Sequence, residues 1–215
     1  MPRTAMIAGA TGLVGGHCLR LLARTPEYSR IVALVRRETP LPACVEQRVV
    51  DFGRLSEADL EEGADVFCAL GTTIRKAGSQ AAFRRVDLDY PQTLAQCAAA
   101  RGSRRFLAVS SVGADAGSNN FYLRTKGEME RAVTAAGLEA THFFRPSFLI
   151  GERIEDRWGE RIGIAAARAF GFLFVGGLKR YRAVTAETVA AAMVRSALSG
   201  ERGVHVHHYR DMAAR

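Results

Sequence analysis

No two of the four cysteines, Cys18, Cys44, Cys68 and Cys97, stand in Cys-x-x-Cys spacing, so neither a zinc ribbon nor a thioredoxin-type redox pair is written here. Isolated cysteines of this kind read as small buried hydrophobes, with no disulfide and no metal. Long apolar runs are missing too: no stretch of about 18 residues is free of charge, which argues against an integral membrane segment. The N-terminus has neither the basic region nor the small-residue cleavage site of a signal peptide. These absences predict a soluble, cytoplasmic protein. Linkers, internal repeats and low-complexity stretches are also lacking, and 215 residues with 48% hydrophobic content suit one domain, 1–215.

Lysine is scarce, with three against 27 arginines, and the net charge is +8. The arginines are dispersed, adjacent only at Arg36-Arg37, Arg84-Arg85 and Arg104-Arg105, with no basic tract and no aromatic-interleaved module. No nucleic-acid partner is expected; the anion that fits is a phosphorylated cofactor. In "VHVHHY" strand alternation sends His205 and His207 to one face and His208 to the other, which reads as a solvated edge strand rather than a metal site.

What is present is rhythm. "TAMIAG", "IVALVR", "QRVVD", "DVFCALG", "RRFLAVSS" and "EATHFFRPS" read as successive buried strands, and 13–24, 79–100 and 121–136 carry helical apolar spacing between them. The fold class is α/β, a doubly wound parallel sheet of Rossmann type. A weaker crossover, "LSEADLEEG", has an N-cap candidate in Ser56 and a stop at Gly63. Residues 151–183 break the rhythm and predict a small substrate-side cap, whose apolar 161–178 stretch suits a lid, a buried helix or an interface; "TAETVAAAMVRSALSG" then returns as a capped helix.

"GATGLVGG" follows the first strand and opens the first helix. Gly9 suits the tight turn, Gly12 the approach of backbone to a pyrophosphate, and Gly15 close helix–strand packing, with Ala10, Thr11, Leu13 and Val14 completing the loop. At the end of the second strand, where an NAD enzyme would place an acid against the ribose, stand Arg36 and Arg37, whose guanidinium forks suit a 2′-phosphate. NADPH is therefore favoured over NADH, the competing reading being that Glu38 takes the ribose. Asp51 ends the third strand where an adenine contact is often made, and Leu70, Gly71 and Thr72 leave room for the cofactor beyond the fourth.

Tyr122 and Lys126 share a helix face at i, i+4. With only three lysines in the chain, an accidental Tyr-x-x-x-Lys is an uncommon event. A phenol is a poor acid–base group at neutral pH, and a neighbouring ammonium brings its pKa toward the working range, so that Tyr122 can protonate a carbonyl oxygen. Ser110 and Ser111 close the preceding strand; alternation turns only one into the cleft, and Ser111 is the choice, with Ser110 beside the cofactor, although the two could be reversed.

These segments, with "CALGTTIRKAGSQAAFRRVDLDY", "VSSVGADAGSNNFYLRTKGEME", "FFRPSFLIGER" and "KRYRAVTAETVAAAM", resemble the short-chain dehydrogenase/reductase superfamily, in particular the atypical NAD(P)H-binding branch similar to the Tat-interacting-protein oxidoreductases. The resemblance spans residues 4–193. It implies NADPH, a catalytic set of Ser111, Tyr122 and Lys126, a nicotinamide flanked by Arg145, Pro146 and Ser147, and a homodimer, for which no heptad pattern gives independent support. The superfamily's usual asparagine is missing; Asp87 stands nearest its place, as a helix N-cap or a carboxylate in a water relay. The 112–121 connection reads as a flexible loop. The expected function is an NADPH-dependent reductase of a ketone or aldehyde, the alternative an NADPH-binding regulatory or scaffold protein with little turnover.

Overall fold

From Ala5 onward every residue of β1 (Arg3–Ala8) is buried, which a strand allows only when both of its faces are covered. The computed structural model describes residues 3–147, 149–150 and 184–214 and places β1 inside a seven-stranded parallel sheet. The other six are β2 (Tyr28–Val35), β3 (Glu46–Val49), β4 (Asp65–Cys68), β5 (Arg105–Val109), β6 (Ala140–Phe144) and β9 (Gly203–His207). Their order is β3-β2-β1-β4-β5-β6-β9, and β7 (Leu149–Ile150) pairs with β8 (Val184–Thr185) separately. Strand order reverses between β1 and β4, where an open α/β sheet leaves a crevice beyond its carboxyl ends.

The described helices are α1 (Leu13–Leu22), α2 (Ile74–Ala77), α3 (Gln80–Arg84), α4 (Tyr90–Ala100), α5 (Phe121–Thr134), α6 (Ala186–Leu198) and α7 (Tyr209–Ala213). Alternation along β1 sends Ala5 and Ile7 to one face, against Val14 and Leu19 of α1 and Val189 and Met193 of α6. Met6 and Ala8 go to the other, with Leu94 and Ala98 of α4 and Met129 and Val133 of α5. α6 begins where expected, its Thr185 cap accepting from the Thr188 N–H at 3.1 Å. Among the described residues no helix is long and apolar enough to cross a membrane.

Three details depart from the expectations. The helix read over 79–100 is continuous but widens at Arg85–Asp89 into one π-helical turn. "LSEADLEEG" makes only a three-residue 3₁₀ turn, Glu57–Asp59, because Leu55 and Leu60 are both drawn into the core and hold the segment extended on either side. Cys18, Cys68 and Cys97 are buried, whereas Cys44 is exposed in the connection before β3. β9 is the edge strand read from "VHVHHY": the rings of His205 and His207 stack on His142 of β6, and Val204 and Val206 face outward on the other side. The cap expected over 151–183 lies outside the described residues.

Candidate active site

Parallel register aligns Leu34, Ala8, Cys68, Ala108, Phe143 and Val206 in one row across the sheet. The residues singled out from sequence follow this row at once: Gly9, Arg36, Leu70, Ser110 and Arg145 all stand one to two positions beyond it. One edge of the sheet therefore gathers the glycine loop, the arginine pair and the Ser/Tyr/Lys elements.

The loop is built for close approach. Gly9 has φ +90°, and a Cβ there would lie 2.5 Å from the Ala69 carbonyl oxygen; a Cβ on Gly15 would lie 2.0 Å from the Gly9 oxygen. Side chains are thus excluded where β1 meets the end of β4 and where α1 packs on the loop. Gly12 is the N-cap of α1, makes no side-chain cap, and is followed by no acidic residue in the first turn. The N–H groups of that turn and the positive end of the helix remain available to an anion, flanked by buried Ala10 and Val14, half-buried Leu13 and exposed Thr11. This cradle fits a dinucleotide pyrophosphate.

Arg36 and Arg37 are both exposed beyond β2, and so is Glu38. Asp51 is exposed and turns one carboxylate oxygen back to the Gly53 N–H at 2.8 Å, a local turn that orders the end of β3. Leu70 packs on the core, while Gly71 is exposed and Thr72 half-buried.

The two serines, both just beyond the end of β5, find different partners. Ser110 donates its hydroxyl to Glu130 of α5 at 2.5 Å, and the same carboxylate receives Arg145 through Nε at 2.9 Å and a terminal nitrogen at 2.5 Å. Ser110, expected beside the cofactor, is thus engaged between β5, β6 and α5. Ser111, also buried, donates its hydroxyl to the adjacent Val112 carbonyl at 3.3 Å. Arg145 donates its N–H to the His207 carbonyl, Pro146 accepts from Val112, and half-buried Ser147 follows.

Lys126 is buried, and its Nζ lies 2.8 Å from Asp87 Oδ1. The other Asp87 oxygen accepts the Thr72 N–H at 2.9 Å. Burial alone would push the Lys126 ammonium down; the Asp87 carboxylate, with Tyr122 and Cys68 adding to it, carries it above the usual lysine range instead. The Cys68 thiol is raised to about 11, first by burial. Asp87 is not the N-cap that the sequence suggested, because the π turn keeps the helix unbroken through it and swings its carboxylate inward. Tyr122, half-buried, leans on the Phe83 ring with centroids 5.7 Å apart. The 112–121 connection, read as a flexible loop, carries local hydrogen bonds: Asp115 accepts from Gly117, Asn120 caps α5 through Leu123, and Arg124 donates to the Ser118 carbonyl. Gly127 lets it close on α5, since a Cβ there would lie 2.1 Å from the Ala116 nitrogen.

Asp87 as the partner of Lys126, and Gly127 and Glu130 as supports, were not read from sequence. The available signal was that a lysine on the inward face of α5 needs a carboxylate. Glu130, one turn along the same helix, was the nearer candidate, and its carboxylate is instead filled by Ser110 and Arg145. A groove of about 440 Å³ opens between α5 and β9, lined by Ala116, Glu130, Arg131, Phe143, Val204 and Val206 among others, but borders neither Tyr122 nor the glycine loop.

A family model described as NAD(P)H-binding matches residues 9–200. The chain is 37% identical over 207 residues to Protein HTATIP2 of Rattus norvegicus, covering 94% of this chain and 84% of that protein. It is 35% identical over 158 residues to Protein FMP52, mitochondrial, of Saccharomyces cerevisiae, covering 71% and 68%. Among solved structures, MoeE5 in complex with UDP-glucuronic acid and NAD superposes with a TM-score of 0.72 at 19% identity, over 94% of this chain and 75% of that one. The UDP-glucose 4-epimerase of Thermotoga maritima follows with 0.69 at 16%, over 95% and 76%. At such identities these two report the shared fold alone.

Proposed function

We propose, for a chain that belongs to the NAD(P)H-binding family, the activity of an NADPH-dependent reductase that converts a ketone or aldehyde to the alcohol. The observation that carries the reading is the buried Lys126, paired with Asp87 and one helical turn from Tyr122; Ser110 is engaged by Glu130, which leaves Ser111 as the serine of this reading. Bound at the Gly9–Gly15 loop, the dinucleotide would supply the hydride. Tyr122 gives its proton to the carbonyl oxygen, Ser111 donates a hydrogen bond to the same oxygen, and Lys126 stabilises the phenolate left behind. Two of the three Lys126 N–H groups remain for Tyr122 and a ribose hydroxyl once one is spent on Asp87.

NADPH is preferred in this reading because Arg36 and Arg37 are exposed at the end of β2 and make no ion pair among the described residues. MoeE5 was solved with NAD, but its likeness speaks only to fold. A cytoplasmic location belongs to the same proposal; the yeast relative is called mitochondrial, and fractionation of cells expressing the chain decides between the compartments.

The test is NADPH oxidation against a panel of aldehydes and ketones, comparing wild type with Tyr122→Phe after titrating both with NADPH and NADH. Turnover that falls by about 10²–10⁴-fold in the variant, with NADPH binding unchanged, supports the reductase. Tight NADPH binding with no consumption by either protein supports the second reading, a dinucleotide-binding regulator. That reading has one observation in its favour: no hydrogen bond joins Ser111 to Tyr122 among the described residues.

A further inference from the structure

Lys126 has a cost that its proposed role alone does not meet. Its side chain is 5% exposed, and a lone ammonium at such a depth sheds its proton rather than remain charged. A neutral lysine would neither stabilise a phenolate nor favour an anionic neighbour. What accompanies it is Asp87, itself 1% exposed, at 2.8 Å. Asp87 reaches this position because the helix is widened by the π turn Arg85–Asp89, without which the residues of an unbroken α-helix would be spaced differently around its axis. Its second oxygen is held by the Thr72 N–H, in the connection that follows β4.

We propose that Asp87 is a positioning residue of this site: it is the counter-ion that lets Lys126 be buried and still charged, and it ties the lysine to the Gly71–Thr72 loop. This rests on the reductase reading for its consequence, though not for its physics. The groups facing the Lys126 ammonium come from three elements: Asp87 from the π turn, Cys68 from β4 and Tyr122 from α5 itself. Of these, only Asp87 is a carboxylate. The Cys68 thiol is raised to about 11 and so stays neutral below that range, unable to replace it. Glu130, the next carboxylate on the α5 face, is engaged by Ser110 and Arg145.

The chain contains three lysines, Lys76, Lys126 and Lys179, so lysine labelled with ¹³C at Cε gives a spectrum in which Lys126 can be assigned by its absence from Lys126→Met. In wild type the Lys126 signal should titrate no lower than an ordinary lysine. In Asp87→Asn, which keeps size but loses charge, it should titrate about one pH unit or more lower, and Asp87→Glu should restore it. Enzymatically, Asp87→Asn should lose turnover increasingly as pH rises through the displaced lysine titration and recover toward low pH, because the ammonium is the form below that point. A loss equal at every pH would mark a merely structural carboxylate and overturn the inference. So would an unshifted Lys126 signal in Asp87→Asn. Should that variant not fold, the wild-type titration decides, since a Lys126 that already titrates well below Lys76 would overturn the inference alone. The spectra require neither NADPH nor turnover: a shifted Lys126 in a protein that consumes no NADPH leaves Asp87 its role and overturns only the reductase reading.

Discussion

Ser110 and Ser111 are neighbours with opposite fates: the first is bound to Glu130 at 2.5 Å within the protein, and the second donates only to the carbonyl next to it. Their different partners turn a pair that sequence alone leaves interchangeable into two distinct experiments. Ser111→Ala should cut turnover with stability nearly unchanged. Ser110→Ala and Glu130→Ala should do the reverse, each lowering stability, the latter by about 1.5–3 kcal/mol for the charged hydrogen bonds lost from Arg145. Urea midpoints and initial rates on the same preparations separate the two patterns.

The glycine loop predicts a hierarchy of alanine substitutions. Gly15→Ala and Gly9→Ala place a methyl 2.0 Å and 2.5 Å from backbone oxygens, and the second also strains a residue at φ +90°. Each should cost about 1–3 kcal/mol and weaken NADPH binding, read from the quenching or enhancement of NADPH fluorescence. Gly12→Ala, whose Cβ would stand 3.1 Å from the Gly9 oxygen, should be milder in stability.

Coenzyme preference should follow the arginine pair. Replacing Arg36 and Arg37 by alanine should weaken NADPH by about tenfold or more while leaving NADH nearly as before, since a charge-assisted hydrogen bond contributes about 1.5–3 kcal/mol. Equal losses for both coenzymes would move the 2′-phosphate elsewhere and return the ribose to Glu38.

Stability should depend on pH through the edge of the sheet. Burial first, and then the charges of His207 and His205, hold the fully buried His142 ring down at about 4, and His207 is lowered as well. The unfolded chain takes up protons near the ordinary histidine value, before the native protein does. Urea midpoints should therefore hold above about pH 6.5 and fall as pH drops from there toward about 4. In His142→Phe that decline should be shallower.

Much of this was legible in the letters. Six strands fell where they were read, and for β1, β4 and β6 because a strand covered on both faces leaves little room for any pattern but an apolar run, whereas β3, read as buried, is largely exposed at the edge of the sheet. The glycine loop was legible because each of its glycines answers a steric demand. What escaped was the partnership of residues far apart in sequence. Nothing local in "RRVDLDYP" announces a π turn, and Asp87 and Lys126 are 39 positions apart in the chain, so their attraction is visible only after α3, α4 and α5 have packed. "LSEADLEEG" misled for the opposite reason: its cap signal was real, as the Ser56–Asp59 bonds show, but two buried leucines overrode helix propensity.

Gly127 reverses an ordinary rule of protein engineering. Exchanging an internal helix glycine for alanine usually stabilises by about 0.5–1 kcal/mol. On α5 the same exchange would wedge apart the helix and the 115–116 backbone, since the added carbon would stand 2.1 Å from a main-chain nitrogen. The spacing between the strand end that carries Ser111 and the helix that carries Tyr122 and Lys126 is thus set by an atom that is missing.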